Sequence, residues 1–232
     1  MALTTRILRR VVALRAQLGP EAPGLPFKNE LRRFTMCDEA ALRNICRIAR
    51  HVVESGVPGH AVECGVCNGG TAAIIAGEIE NTTKELWLYD SFRGMPNTTA
   101  RDGDAAETWV GKCIGSEESV KEALRIVGFP PERLQIRKGW FQDTLACHLP
   151  STISLLHIDA DWYESVLLCL NILYDRVTEG GVVILDDFGC WEGCREAFYD
   201  FCGPRHVRPL IERSGPQQAY WVKGRLHNRK PL

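Results

Sequence analysis

Two short apolar runs that each end in a pair of acidic residues constrain the fold of this chain most. The first run, Ile153 to Ile158, is followed by Asp159-Ala160-Asp161, and the second, Val182 to Leu185, is followed by Asp186-Asp187. Each run is long enough for a buried strand and too short for a helix. Residues 163–177 between them carry apolar side chains at helical spacing. The pattern predicts a strand–helix–strand unit whose two strands are parallel neighbours in one sheet.

This arrangement delivers both acidic pairs to the same carboxyl edge of the sheet. Adjacent strands lie only about 5 Å apart, so four carboxylates would crowd together there. Like charges that close repel strongly unless protons or a cation compensate. A divalent metal is the economical explanation, and oxygen-only ligands favour Mg²⁺, Mn²⁺ or Ca²⁺ over zinc. The alternative is that these aspartates merely cap the helices that follow them.

The rest of the chain alternates strands with helices. Further strands are predicted at 60–64, 86–89 and 134–137, with a closing pair at 207–211 and 219–223 around a Gly215-Pro216 turn. Helices are predicted at about 38–54, 71–80, 116–127, 163–177 and 190–201, the fourth ended by Gly180-Gly181. Residues 92–104 lack periodicity and are expected to form a long binding or lid loop. Such alternation predicts an α/β fold, a doubly wound and mostly parallel seven-stranded sheet that binds ligands at its carboxyl edge.

A glycine-rich turn, Glu63 to Gly70, lies between the first predicted strand and the next helix. Its Gly-x-x-x-Gly-Gly spacing differs from the Gly-x-Gly-x-x-Gly dinucleotide fingerprint. The turn suits S-adenosyl-L-methionine (SAM) better than a pyrophosphate, because SAM has no phosphate that the turn must bind. Glu63 would face the ammonium of that cofactor. Asp90 ends the second strand, where a carboxylate can accept hydrogen bonds from both ribose hydroxyls.

Composition narrows the function classes. The 232 residues have a net charge of −1 and 45% hydrophobic residues, which indicates neither a nucleic-acid surface nor a disordered tail. No run reaches the roughly 18 apolar residues of a membrane span, and nothing in the sequence looks secreted, so a cytoplasmic protein is expected. The Arg-rich N-terminal stretch, residues 1–19, is interpreted as a surface or subunit-packing helix, with a transit peptide as the alternative.

The ten cysteines leave a second interpretation open. Cys64-x-x-Cys67 and Cys190-x-x-x-Cys194 could be the two halves of a zinc site in a non-catalytic module, although the ligand spacing fits poorly. Free cysteine also behaves as a small hydrophobe in a protein core, and Cys64 closes an apolar strand.

Five motifs, taken together, resemble those of one known family. In chain order they are VECGVCNGGTAA, LYDSFRGMP, GWFQDTL, HIDADWYES and GGVVILDDF. They resemble the macrocin O-methyltransferase (TylF/MycF-type) family from about Thr35 to Phe201. The resemblance implies a class I, Rossmann-like methyltransferase that uses SAM and Mg²⁺ to methylate sugar hydroxyls on natural products. It further implies a methyltransferase domain at 35–232, preceded at 1–34 by a helix and Pro/Gly connector, and a homo-oligomer.

The resemblance also implies roles for individual residues. Asp161 would be the general base, and the Mg²⁺ ligands would be Asp159, Asp186 and Asp187. The cofactor would be held or lined by Thr35, Met36, Glu63, Gly65, Thr71, Asp90, Ser91, Gly139, Trp140 and Asp159. The chain departs from the family at Cys67-Asn68, where Trp-Arg is common, and at Leu156-His157-Ile158-Asp159, where Leu-Arg-Leu-Asp is common.

Two enzyme alternatives remain at this stage. A catechol-type O-methyltransferase shares the cofactor and the metal and differs only in its acceptor. A metal-dependent glycosyltransferase is suggested by Asp159-x-Asp161, which mimics the Asp-x-Asp that holds a nucleotide-sugar metal, but it leaves the glycine-rich turn unexplained. The acceptor itself is expected to be chosen by residues 92–110 and the N-terminal segment.

Overall fold

The computed structural model of the chain describes residues 28–224. The predicted Arg-rich N-terminal helix and the Pro/Gly connector at residues 19–27 both lie outside the described residues. Within residues 28–224, no helix is long and apolar enough to cross a membrane.

The centre of the molecule is one seven-stranded sheet with the strand order β3-β2-β1-β4-β5-β7-β6. Its first five strands are parallel, whereas β7 runs antiparallel to both β5 and β6. This confirms the predicted α/β sheet, mostly parallel and closed by an antiparallel pair. The strands are β1 (His60–Cys64), β2 (Leu86–Asp90), β3 (Leu134–Lys138), β4 (Ile153–Ile158), β5 (Val177–Leu185), β6 (Glu212–Ser214) and β7 (Gln218–Val222).

Two of the longer helices begin at a residue whose side chain caps them. Asp38 accepts a hydrogen bond from the backbone N–H of Ala41, and Ser116 accepts one from Ser119, as expected for residues at N-caps. The α-helices are α1 (Lys28–Leu31), α2 (Glu39–Glu54), α3 (Gly70–Ile79), α4 (Asp104–Glu107), α5 (Glu117–Ile126), α6 (Phe141–Thr144), α7 (Tyr163–Leu173) and α8 (Glu192–Cys202).

Two hydrophobic cores cover the two faces of the sheet. On one face α2, α3 and α5 pack over alternate strand residues such as Ala61, Leu155 and Ile184. On the other face α7 and α8 pack over the intervening residues, such as Leu156 and Leu185. Because both faces are buried, the central strands read as continuous apolar runs, which is the pattern that made β4 predictable.

Two predicted boundaries were wrong. Gly180-Gly181 does not end α7, which stops at Leu173 and is followed by a 3₁₀ turn; the two glycines lie inside β5. The two glycines pair with the residue that follows β7 instead of ending a helix, because Gly180 donates to the Lys223 carbonyl and Lys223 donates to the Gly181 carbonyl.

The second error concerns the closing pair of strands. Residues 207–211 form no strand; the short and polar segment Glu212–Ser214 forms β6 instead. Its register is fixed by the tight turn at residues 215–217, which places Ser214 opposite Gln218. An edge strand needs no apolar run, so hydrophobicity pointed to the wrong residues.

The double-sided core leads to a stability prediction for Leu155, which is 1% exposed in the middle of β4. We expect Leu155→Ala to lower the free energy of unfolding by about 2–5 kcal/mol, because it removes buried methyl groups and leaves a cavity. Urea denaturation, monitored by tryptophan fluorescence, measures this change in the free energy of unfolding. Leu210→Ala, at a residue that is 38% exposed, is the matched control and should change the free energy by less than about 1 kcal/mol. Equal effects of the two substitutions would contradict the assignment of β4 to the core.

Candidate active site

A cavity of about 1260 Å³ opens at the carboxyl edge of the sheet. It collects twelve of the thirteen different residues that the sequence nominated, although they come from distant parts of the chain. The nominated residues that line it are Thr35, Met36, Gly65, Thr71, Asp90, Ser91, Gly139, Trp140, Asp159, Asp161, Asp186 and Asp187. The remaining nominated residue, Glu63, lies elsewhere.

Glu63 is fully buried in β1 and does not face the cavity. Its Oε1 lies 2.8 Å from Nδ1 of His157, the residue beside it on β4. Neighbouring strands in register put these two side chains on the same face of the sheet, so Glu63 points into the protein. The expectation that Glu63 faces the ammonium of a cofactor is therefore corrected.

The glycine-rich turn after β1 is held by Asp90. Oδ2 of Asp90 accepts hydrogen bonds from the backbone N–H groups of Val66 (2.6 Å) and Cys67 (2.8 Å). Gly65 has a φ of +85°, and a Cβ there would lie 1.7 Å from the carbonyl oxygen of Asp159. Only glycine fits this position, because β1 and β4 end side by side and the turn passes directly over Asp159.

The four aspartates that follow β4 and β5 come together as expected. Asp159, Asp161 and Asp187 each offer a carboxylate oxygen, and these oxygens lie within 4.8 Å of one another. A second group under the same limit joins Asp159 and Asp186 with the sulfur of Cys37. The nominated metal set of Asp159, Asp186 and Asp187 is therefore divided between two groups that share Asp159.

The electrostatic cost of this cluster is large. Two unit charges 4.8 Å apart repel by about 3 kcal/mol at an effective dielectric constant of about 20, so three such pairs approach about 10 kcal/mol. That cost is comparable with the whole stability of a domain, about 5–15 kcal/mol. Burial, followed by the charges of neighbouring aspartates, raises the pKa of both Asp159 and Asp187 well above the ordinary value. The cluster must therefore hold protons or a cation.

The residues fit a divalent cation of the Mg²⁺ type. The donors are oxygens, which hard cations prefer. Among the described residues, Oδ2 of Asp187 is a buried atom without a hydrogen-bond partner, and a cation at the cluster would satisfy it.

The alternative that the aspartates only cap helices is not supported by the geometry. The helix after Asp161 is capped by a residue from the long loop, because Oδ1 of Asp102 accepts a hydrogen bond of 2.7 Å from the backbone N–H of Tyr163. The helix after Asp187, α8, has no side-chain cap at its N-terminus. All four aspartates are thus left to the cavity.

Asp161 is held in an unusual position beside the other carboxylates. Its φ of 52° is left-handed, which is uncommon for a residue other than glycine. Oδ1 of Asp161 accepts a hydrogen bond of 2.9 Å from the indole N–H of Trp191. Burial is the largest influence on its pKa; it outweighs this hydrogen bond and, together with the charge of Asp186, raises the pKa of Asp161 to about 7. A carboxyl group with such a pKa can exchange a proton near neutral pH.

His157 bridges two carboxylates beneath the cluster. In addition to its contact with Glu63, its Nε2 lies 3.1 Å from Oδ1 of Asp186. Burial opposes a charge on His157, but hydrogen bonds with Asp186 and Glu63 outweigh it and raise its pKa to about 10. His157 therefore contacts the site from below, in addition to being packed in the strand as the sequence predicted.

Sequence reasoning missed Asp102 and Gln218. Asp102 is 2% exposed and Gln218 is fully buried, where it donates a hydrogen bond from Nε2 to Oδ1 of Asp186. Neither residue belongs to a recognisable motif. The one available signal was an acidic residue in a long polar loop.

Apolar side chains line the mouth of the cavity. Met36, Trp109, Val110 and Ile114 all line it, and their exposed fractions range from 36% to 69%. Deeper in, Trp191 makes edge-to-face contacts with Trp109 and Trp162. The cavity thus joins an acidic floor to an aromatic and aliphatic entrance.

The proposed zinc site is not supported. All ten cysteines are free thiols. In residues 28–224, neither group of side chains close enough to share a metal contains Cys64, Cys67, Cys190 or Cys194.

The chain matches a family model over residues 26–223, and the model is described as Macrocin-O-methyltransferase (TylF). The chain belongs to this family. It is an O-methyltransferase, and the glycosyltransferase and zinc-module alternatives are thereby set aside.

Curated relatives support the same assignment. Demethyldecarbamoylnovobiocin O-methyltransferase of Streptomyces niveus is 30% identical over 203 residues, which are 82% of this chain and 76% of that protein. The 8-demethyl-8-(2,3-dimethoxy-alpha-L-rhamnosyl)-tetracenomycin-C 4'-O-methyltransferase of Streptomyces olivaceus is 29% identical over 196 residues, or 81% and 74% of the two chains.

Solved structures show the same fold. The O-methyltransferase NovP superposes with a TM-score of 0.76 and 27% identity, covering 97% of this chain and 99% of that chain. The SAH-bound Podospora anserina methyltransferase PaMTH1 shares the fold, with a TM-score of 0.57, 15% identity and coverage of 94% and 96%. The fold is therefore that of the class I methyltransferases.

The cap supplied by Asp102 leads to a prediction about the loop. We expect Asp102→Ala to lower the free energy of unfolding by about 1–2 kcal/mol, the usual cost of losing a helix cap. Trypsin should also cleave faster after Arg101, because the same carboxylate accepts hydrogen bonds from the backbone and hydroxyl of Thr99. Chemical denaturation and timed proteolysis measure the two effects. Asp104→Ala, at an exposed aspartate of the same segment, is the control; an identical cleavage rate in both variants would contradict the anchoring role.

Proposed function

We propose that the protein transfers the methyl group of SAM to a hydroxyl on the sugar of a glycosylated natural product, with Mg²⁺ at the aspartate cluster. The observation that carries the proposal is the cavity in which a glycine-rich turn, Asp90 and four aspartates meet. The names of the two relatives add support, because one includes a rhamnosyl group and the other a novobiocin derivative. The SAH-bound neighbour of the same fold supports SAM as the donor.

The cofactor is proposed to lie over the turn between β1 and α3. Gly65 would let the ligand approach the backbone, and Asp90 at the end of β2 would accept a hydrogen bond from the ribose. Asp90 already accepts three backbone hydrogen bonds, from Val66, Cys67 and Phe92. A carboxylate offers about four acceptor sites, so it retains capacity for the ligand. Thr35, Met36, Thr71, Ser91, Gly139 and Trp140 are proposed to complete this part of the pocket.

Asp159, Asp186 and Asp187 are proposed to hold the metal. When bound, a divalent cation lowers the pKa of a coordinated hydroxyl and makes it a better nucleophile. A hydroxyl bound there would lie at the floor of the cavity, close to Asp161.

Asp161 is proposed to be the general base. Its Oδ1 is occupied by the hydrogen bond from Trp191, so Oδ2 is the atom available to take the hydroxyl proton. The oxygen then attacks the sulfonium methyl, the carbon–sulfur bond breaks, and the sulfur leaves as a neutral thioether. No acid is needed for the leaving group, which fits a site with four carboxylates.

The acceptor is proposed to enter over the apolar mouth formed by Met36, Trp109, Val110 and Ile114. An exposed apolar surface around a polar floor suits a molecule with a hydroxylated sugar at one end and an apolar body at the other.

A direct test combines labelled SAM and Mg²⁺ with a glycoside, its aglycone and a simple catechol. We expect label in the glycoside, and mass spectrometry should place it on the sugar. If only the catechol were labelled, the enzyme would be of the catechol type and the proposal would be wrong. If SAM bound but none of the three compounds were labelled, the proposed class of acceptor would be contradicted.

The role of Asp161 can be tested by Asp161→Asn, which preserves shape but removes the base. We expect kcat to fall by about 10²–10⁴-fold, the usual contribution of a general base. Affinity for S-adenosylhomocysteine, measured by calorimetry, should stay within about twofold, since Asp161 contacts Trp191 rather than the glycine-rich turn. Asp175→Asn, at a surface aspartate whose side chain is 68% exposed, is the control. Unchanged turnover in Asp161→Asn would remove Asp161 as the base.

The metal site can be tested by Asp187→Asn. We expect the Mg²⁺ concentration for half-maximal activity to rise more than about tenfold, because even residues one shell beyond a metal contribute 10–100-fold to affinity. A titration of activity with Mg²⁺ at saturating SAM measures the change. A titration curve identical to that of the wild type would contradict the ligand role.

A further inference from the structure

A line of buried polar side chains reaches Asp186 from behind the active site. Nε2 of Gln218 on β7 donates to Oδ1 of Asp186, and Oε1 of Gln218 accepts a 2.8 Å hydrogen bond from Nδ2 of Asn44 on α2. Oδ1 of Asn44 in turn accepts from the guanidinium of Arg47. Gln218 is fully buried and Asn44 is 3% exposed. The three residues thus connect the half-buried Arg47 to a carboxylate of the cluster.

The direction of every hydrogen bond in this line is set by Arg47. A guanidinium can only donate, so Asn44 must turn its oxygen toward Arg47 and its amide nitrogen toward Gln218. Gln218 must then turn its oxygen toward Asn44 and its nitrogen toward Asp186. A carboxylate oxygen only accepts, so the line ends in the orientation that Asp186 needs.

The consequence for Asp186 is that its two oxygens have different tasks. Oδ1 is contacted by Gln218 and by Nε2 of His157. Oδ2 lies 3.9 Å from the sulfur of Cys37, a residue that lines the cavity. A partial rotation of the carboxylate about its last bond would break both contacts to Oδ1.

Stability alone does not account for the line. Buried polar networks are often no more stable than apolar side chains of similar volume, because each buried amide loses its hydration. Asn44 and Gln218 lie on the face of the sheet that α2, α3 and α5 cover, among apolar residues such as Leu155 and Ile184. The polar side chains of Asn44 and Gln218 at these positions therefore indicate a role other than packing.

We propose that Asn44 and Gln218 are positioning residues that lock Oδ1 of Asp186 and thereby present Oδ2 to the divalent cation. This inference rests on the proposed function, because it assumes a cation at the aspartate cluster. It assigns a role in metal affinity to two residues that do not touch the metal, the cofactor or the acceptor.

The test uses two variants that break the line in different ways. Gln218→Met keeps the length of the side chain but donates nothing to Asp186. Asn44→Asp keeps the shape but cannot donate to Gln218, so the Gln218 amide turns its nitrogen to the introduced carboxylate and its oxygen to Asp186. The introduced carboxylate lies beside the guanidinium of Arg47, which compensates its charge, so the side-chain shape is kept while the donor to Gln218 is lost. Gln135→Met on the edge strand β3, where Gln135 contacts Arg137, is the control.

Mn²⁺ binding is measured by the electron paramagnetic resonance signal of the free ion, and S-adenosylhomocysteine binding by calorimetry. In both variants we expect the Mn²⁺ dissociation constant to rise about tenfold or more, the usual effect of residues that orient a metal ligand. The S-adenosylhomocysteine affinity of both variants should stay at the wild-type value. The thermal midpoint of the Gln135→Met control should also stay at the wild-type value.

Each other outcome has a defined meaning. Wild-type Mn²⁺ affinity in either folded variant would overturn the positioning role while leaving the proposed metal site intact. Unfolding of both variants, or a parallel loss of S-adenosylhomocysteine affinity, would show that the line serves the fold and would also overturn it. Absence of Mn²⁺ binding by the wild-type protein would instead contradict the proposed function itself.

Discussion

Mutual repulsion among carboxylates at one edge of the sheet is the constraint on which the rest of the site depends. β4 and β5 are hydrogen-bonded neighbours, and each ends in aspartates, so the topology forces these charges together. Repulsion of this size cannot persist in a stable domain without protons or a cation. A sheet edge built in this way can hold protons or a hard cation, and it lies beside the glycine-rich turn in one cavity.

The surrounding protein keeps the carboxylates in place through contacts that come from far along the chain. Trp191 holds Asp161, while His157 and Gln218 hold Asp186. Asp102 caps the helix that starts directly after the Asp161 segment and ties the long loop to it. The loop that lines the cavity and the floor of the cavity are thus parts of one connected structure.

The sequence was sufficient for the five parallel strands, the order of the elements between them and the cluster, because those follow from local patterns. Apolar runs that end in aspartates identify parallel strands and bring their ends together by topology alone. It was insufficient for Gln218 and Asn44, which are 174 positions apart and meet only once β7 has paired with β5. Glu63 was misplaced for the same kind of reason, since its partner His157 lies on another strand. The polar edge strand β6 carried no hydrophobic signal at all.

The central claim is that the aspartate cluster binds one divalent cation beside the donor site. The most direct measurement is equilibrium dialysis of the purified protein against Mn²⁺ in the presence of S-adenosylhomocysteine, with the bound metal counted by mass spectrometry. The account predicts one ion per chain, displaced by excess Mg²⁺ and absent when Asp159 and Asp187 are both changed to asparagine. Retention of no ion by the wild-type protein, or equal retention by the doubly substituted one, would contradict it.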